Sequence, residues 1–263
     1  MKRIHLFEFE DLSWFPDEFR KGITDYLQFQ SNLTNIYKPI LPIIKKGISK
    51  GKSNKIIDLC AGGGGGEIAI STQLKKENVQ TTIVLTDLYP NIRAFIQNAA
   101  QSDGYIEYIE SSVDATNVPE NLKGFRTLFV AFHHFKPRDA QRILEDAVKR
   151  NEPIGVFEFT ERTLLNFMMM FFTPVTVWMF TPFMKSLDLR KILFTYVIPA
   201  IPFCAMWDGL VSVLRTYSVR EMKEMTAKID SHDYTWEIGK VSVKGPVNIL
   251  YLLGYPNTEK GSQ

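Results

Sequence analysis

The chain has 263 residues, 45% of them hydrophobic and 13% aromatic, and 31 basic against 29 acidic side chains leave a net charge of +2. That is enough apolar material for one large core, or for a core with a sizeable insertion, and it excludes global disorder. The charge balance gives no basic stripe of the kind that nucleic-acid binding requires. Two cysteines, Cys60 and Cys204, lie far apart in the chain, which argues against a disulfide scaffold and for a reducing, cytoplasmic setting. No Cys/His spacing resembles a zinc site, so no metal is expected. The N-terminal MKRIHLFEFEDLSWF carries acids early and has no uninterrupted apolar run, so no signal peptide is expected.

In chain order, Phe19, Ile23, Tyr26 and Leu27 recur at helical spacing after Asp17-Glu18. A second apolar segment from Asn32 to Ile48 is expected to be broken at Pro39 and Pro42, and residues 51–54 (GKSN) to form a turn. Strands and helices then alternate. Strands are predicted over 55–59, 81–86, 105–111, 125–132 and 154–159, and helices over 67–76, 91–100 and 137–149. This alternation predicts βαβ units and a parallel sheet. A helix over 219–228 precedes two strands, 234–243 and 247–255, joined only by Lys244-Gly245-Pro246, so these two must run antiparallel.

The stretch KIIDLCAGGGGGEIAI, Lys55 to Ile70, joins the first strand to the first crossover helix through five consecutive glycines. Glycine lets backbone N–H groups approach a ligand, and ligands of open α/β sheets sit beyond the carboxyl ends of the strands. The dinucleotide fingerprint G-x-G-x-x-G fails, because Glu67 or Ile68 stands where its last glycine belongs. The phosphate-loop pattern fails as well, since Gly47…Gly51-Lys52-Ser53 is one residue short and follows no strand.

Asp58-Leu59-Cys60-Ala61-Gly62-Gly63-Gly64 resembles motif I of the class I S-adenosylmethionine-dependent methyltransferases, with Cys60 in place of a common glycine. Asp87, closing the second strand, matches the family's ribose-binding acid, and Val113-Asp114-Ala115 resembles the loop that meets adenine. Phe129–Phe135 (FVAFHHF) resembles the fourth strand and the residues bordering the substrate. The resemblance covers about residues 55–160 and 217–256. It implies a Rossmann-like, doubly wound, mostly parallel seven-stranded sheet with an antiparallel final strand, and S-adenosyl-L-methionine as cofactor. It further implies that Gly62 and Gly64 give backbone access to the methionine end, Asp58 helps to hold the amino group, Leu88 packs on adenine, and Asp87, Asp114 and Ala115 complete the cofactor site. Tyr37 lies upstream, where a helix of the family often closes over the cofactor.

His133 and His134 follow the fourth strand and are the candidates for a base that takes a proton from an acceptor. Neighbours on a strand end point opposite ways, so one of the two at most would face the substrate. Glu158 and Glu161 close the fifth strand; one of them, with Glu158 the candidate, lines the acceptor pocket or forms a surface ion pair with Arg162. After that strand come Leu164–Met184 and Ile192–Leu214, two apolar runs each about as long as a membrane span. Three readings fit them: a lid over a hydrophobic substrate, a hairpin lying in a membrane surface, or a spanning pair. Asp208 and Arg215, two helical turns apart, would pair with each other or with substrate. The domain plan is then an N-terminal helical cap (1–54), a cofactor-binding core (55–162 and 217–256) and an apolar insertion (163–216). The function that follows is methyl transfer to a small, hydrophobic or lipid-like acceptor at oxygen, sulfur or carbon, with no nucleic-acid partner. The other reading is a non-catalytic protein of the same fold that docks on a membrane or partner through the insertion.

Overall fold

The computed structural model describes residues 1–51, 53–184, 187–243 and 247–257. Lys52, Lys185 and the turn expected at Lys244-Gly245-Pro246 lie outside them. Two compact units are formed: one from Tyr37–Phe159 with the described residues from Ser218 on, the other from Met1–Ile36 with Thr160–Tyr217. These limits differ from those drawn on the sequence. Residues 37–54 belong to the sheet unit, and residues 1–36 share a unit with the apolar insertion.

The sheet unit holds seven strands, β1 (Lys55–Asp58), β2 (Thr82–Leu85), β3 (Ile106–Tyr108), β4 (Phe125–Phe129), β5 (Ile154–Glu158), β6 (Tyr234–Ser242) and β7 (Asn248–Pro256). Their order is β3-β2-β1-β4-β5-β7-β6. The first five are parallel. β7 runs antiparallel to β5, with Ile154 opposite Gly254, and pairs antiparallel with β6 from Tyr234–Pro256 to Ser242–Asn248. All five residues of β4 and of β5 are buried, so neither strand alternates between an apolar and an exposed face. β4 buries two polar residues, Thr127 and Arg126, and Arg126 Nη1 lies 2.7 Å from Asp146 Oδ2. The order reverses between β1 and β4, and the crevice at that reversal is where open α/β sheets bind ligands.

Among the helices of the chain, α1 spans Asp17–Thr34, α2 Leu41–Lys50, α3 Gly65–Lys76, α4 Ile92–Gln101 and α5 Pro137–Arg150. The segment from Asn32 to Ile48 is interrupted as expected, α1 ending at Thr34 and α2 starting at Leu41, but Pro42 lies inside the second helix rather than between the two. It sits in the first turn of α2, where a missing N–H costs nothing. α2 approaches β4 closely at Gly47, where a Cβ would lie 2.4 Å from the Phe125 ring. Asn91 caps α4 by accepting from Ala94 N at 3.2 Å, and α5 buries Ala140, Ile143, Leu144 and Ala147 along one face.

The second unit combines α1 with α6 (Leu164–Met170), α7 (Thr173–Phe180), α8 (Leu189–Ile192) and α9 (Ala200–Arg215); α10 (Val219–Thr226), opened by a Ser218–Glu221 capping box, returns the chain to the sheet unit. Its core is Phe15, Ile23, Tyr26, Val177, Met184, Ile201 and Ala205. Gly22 brings α1 against α9, since a Cβ there would sit 2.6 Å from Ile201 Cδ1. The prolines again mark helix starts: Pro174 lies in the first turn of α7, and Pro199 is the N-cap of α9. α9 runs unbroken through Trp207-Asp208. Among the described residues no single helix is long and apolar enough to cross a membrane.

Candidate active site

The loop after β1 is set by backbone geometry. Ala61 N donates to Thr86 O at 3.0 Å and Gly64 N to Ala61 O at 2.6 Å, a tight turn with Gly62 at φ 53° and Gly64 at φ 63°. Both angles lie in the left-handed region that glycine enters freely. The glycines then serve different ends. Nothing lies within 4 Å of where a Gly62 Cβ would be, so this residue forms the open face of the loop. A Cβ on Gly64 would meet Asn98 Nδ2 at 2.5 Å, and one on Gly66 would meet the Tyr37 hydroxyl at 2.1 Å. Asn98 uses that proximity to donate to Gly63 O at 2.7 Å and so pins the loop to α4.

Asp87, just beyond β2, joins three segments. Its Oδ2 accepts from Gly62 N at 2.9 Å, its Oδ1 from Tyr89 N at 2.9 Å, and its carbonyl from Val113 N at 2.9 Å. Leu88 beside it is exposed. Asp114 caps its own turn by accepting from Thr116 N and Oγ1, both at 2.8 Å, and Ala115 next to it is buried. The cofactor candidates Asp58, Gly62, Gly64, Asp87, Leu88, Asp114 and Ala115 therefore lie on or just beyond the carboxyl ends of three adjacent parallel strands.

Asp58 is buried, and its Oδ1 accepts from Thr127 Oγ1 at 3.2 Å. Nothing in the residue spacing points to its neighbour. Glu67, in the first turn of α3, is also buried, and the two carboxyls act on each other. Burial first, and then the facing Glu67, push Asp58 well above the usual carboxyl range; burial raises Glu67 too. The Cys60 thiol is pushed up by burial and then by Asp87, Asp58 and Asp114. The loop thus sits in a negative field. The folded pair keeps a proton that the unfolded chain releases, so stability from this source is lost as pH rises above the ordinary carboxyl range. Glu67→Gln removes that penalty. The variant is expected to melt higher than the parent at neutral pH, with the difference shrinking as pH falls toward about 4. A melting series across pH checks this, and an unchanged difference at all pH values would contradict it.

On the other side of the strand reversal, β4 ends at Phe129 rather than running to 132. Val130 takes φ 51°, a strained conformation for a β-branched residue, and its N–H donates to Phe157 O at 2.8 Å. The chain then enters a 3-10 turn, Phe132–His134, instead of continuing as strand. This overturns the expectation that His133 and His134 point opposite ways, since their ring centroids are 4.2 Å apart. His133 is buried. Its Nδ1 lies 2.8 Å from Glu158 Oε2, and its backbone N–H donates to Glu158 Oε1 at 2.9 Å. Glu158, fully buried at the end of β5, therefore orients His133 with both oxygens. Tyr37 is buried against the rings of Phe129 and Phe159, with centroids at 6.2 and 5.1 Å.

Asp208 and Arg215 lie on α9. Both belong to the other unit, where they hold the N-terminal segment. Asp208 accepts from Phe9 N at 2.7 Å and Glu10 N at 3.2 Å, while Arg215 donates to Leu6 O at 2.7 Å and pairs with Asp11 at 2.7 Å and Glu8 at 3.3 Å. A buried guanidinium needs that many acceptors.

No family model matches the chain, and no curated protein matches it by sequence. Solved structures do match by shape. The O-methyltransferase NcsB1 of neocarzinostatin biosynthesis, in complex with S-adenosyl-L-homocysteine and 1,4-dihydroxy-2-naphthoic acid, is 13% identical and aligns over 93% of this chain and 60% of its own, with a TM-score of 0.55. The pyocyanin biosynthetic protein PhzM is 13% identical over 94% of this chain and 62% of its own, with a TM-score of 0.54. The fold is that of the class I S-adenosylmethionine-dependent methyltransferases. A Nostoc punctiforme protein assigned as an O-methyltransferase agrees, at 14% identity, over 89% of this chain and 59% of its own, with a TM-score of 0.51. The chain spans about 60% of the length of these structures.

Proposed function

We propose that this protein is an S-adenosylmethionine-dependent methyltransferase acting on a hydroxyl group of a small, largely apolar acceptor. The observation that carries the reading is the charge around the glycine loop. Asp58, Glu67, Asp87 and Asp114 surround it, and the charged groups acting on Cys60 and Asp58 are all carboxyls. Such a loop repels the phosphates of a dinucleotide and suits a cofactor that carries a sulfonium and an ammonium.

The residues fit that cofactor. Gly62 presents an open backbone face, and Asp87 offers the two oxygens that a pair of ribose hydroxyls needs. Leu88 gives an exposed apolar contact beside it. When bound, the cofactor supplies an electrophilic methyl, so the protein's own work is alignment and proton removal. Glu158 orients the His133 ring through Nδ1, and this imidazole is the base that would take an acceptor proton. The neighbouring structure NcsB1 binds a dihydroxynaphthoic acid, and an aromatic hydroxyl of that class is the acceptor on which a His–Glu pair is most useful. Incubation with cofactor and a panel of hydroxylated aromatic acids, read by mass spectrometry, is expected to give S-adenosylhomocysteine only with an acceptor present. Turnover with thiols alone would reject the hydroxyl assignment.

A further inference from the structure

The helical unit carries a surface that the methyl-transfer reading does not use. From Thr163 to Met184 the sequence has no charged residue. Along α6, α7 and the 3-10 turn that follows, Val177, Thr181 and Met184 face inward and are buried. The opposite stripe, Leu164, Met168, Phe172, Val175, Met179 and Phe183, repeats at steps of three and four residues, and every member is exposed; Phe172 is 67% and Phe183 70% accessible. A surface helix of a soluble protein puts polar residues on that side. The exposed patch continues beyond α7. Trp178 Nε1 donates to Thr195 O at 2.8 Å and the Tyr196 hydroxyl to Trp178 O at 2.6 Å, which brings exposed Tyr196 and Val197 beside α7.

We propose that this face docks on the surface of a lipid bilayer. Three features favour lipid over a protein partner. First, two bent helix pairs, Leu164–Met170 with Thr173–Phe183 and Leu189–Val197 with Ala200–Arg215, have the length and hydropathy of membrane segments. A soluble core helix shares those properties but hides them, and this stripe is exposed. Second, protein interfaces supply about one hydrogen bond per 100–200 Å². Here the stripe offers no hydrogen-bonding side chain, and Trp178 and Tyr196 direct theirs inward. Hydrocarbon asks for none. Third, Trp178, Tyr196 and exposed Arg190, which also pairs with Glu18, are the residue types that settle at headgroup level. The bends of 47° and 72° and the inward stripe packed on the unit's core fit shallow burial of one face rather than a crossing.

This inference stands independently of the catalytic reading. The test is flotation of the full chain with phosphatidylcholine vesicles and with vesicles containing phosphatidylglycerol. Wild type is expected to float with both. Phe172→Glu combined with Val175→Glu is expected to cut the bound fraction at least about ten-fold, while Leu27→Glu with Leu33→Glu, on exposed positions of α1, retains it. Should the first pair fail to fold, quenching of wild-type tryptophan fluorescence by brominated phosphatidylcholine, reduced in Trp178→Phe, gives the same answer. Failure to float, or flotation only with anionic vesicles and unaffected by the substitutions, overturns the proposal. So does a wild-type dimer that ignores vesicles and is split by Phe172→Glu, which would assign the face to a second copy.

Discussion

His133→Gln is expected to lower kcat for acceptor methylation by about 10²- to 10⁴-fold, the usual contribution of a positioned base, while leaving cofactor affinity within a factor of about two. The reasoning rests on geometry. Glu158 Oε1 holds the backbone and Oε2 the ring of the same histidine, so the imidazole is fixed in position. Glutamine can fill much of the space but cannot take up a proton. Glu158→Gln should have a smaller effect on kcat and shift the pH–rate profile, because it leaves the base in place and changes its partner. Steady-state kinetics with saturating cofactor check both variants. An unchanged kcat in His133→Gln would remove His133 from the chemistry, and with it the argument for a hydroxyl acceptor.

Much of the sheet was legible because its strands are buried on both faces. KIID, TIVL and IGVFE announce themselves as short apolar runs between turn residues, and their alternation with helices fixes the parallel order. The antiparallel ending followed from the shortness of the link between the last two strands. Turn geometry was less visible. Nothing in FVAFHHF signals that Val130 enters the left-handed region, yet that kink converts the expected strand end into a 3-10 turn and turns the two histidines to the same side. Pro42 was read as a breaker because composition cannot distinguish a first helical turn from an interior one. Glu67 was hidden for another reason. Its meaning depends on facing Asp58 across the loop, a contact that spacing alone does not specify. Asp208 and Arg215 stand out as charges in an apolar run, and both are buried, but with partners other than each other. Their partners, Phe9, Glu10, Leu6 and Asp11, lie some 200 residues away in sequence and could not be read from it. The same long-range packing joins residues 1–36 to 160–217 in one unit.

Asp87→Ala is expected to weaken S-adenosylmethionine binding by at least about a hundred-fold, since two hydrogen bonds to a charged acceptor contribute about 1.5–3 kcal/mol each. The carboxylate has a second task. It accepts from Gly62 N and Tyr89 N, so its loss also frees the loop that presents the open glycine face. Binding should therefore fall further than the ribose contacts alone require, with a modest drop in the melting temperature of the unliganded protein, because Asp87 ties the glycine loop after β1 to the end of β2.

Calorimetric titration of the wild-type protein with S-adenosylmethionine, with NAD and with Asp87→Ala as comparisons, is the most direct test. The negatively charged glycine loop predicts saturable one-to-one heat with S-adenosylmethionine, none with NAD, and none in the variant. Heat with NAD but not with S-adenosylmethionine, or equal binding by Asp87→Ala, would contradict the assignment of the loop to a cationic cofactor.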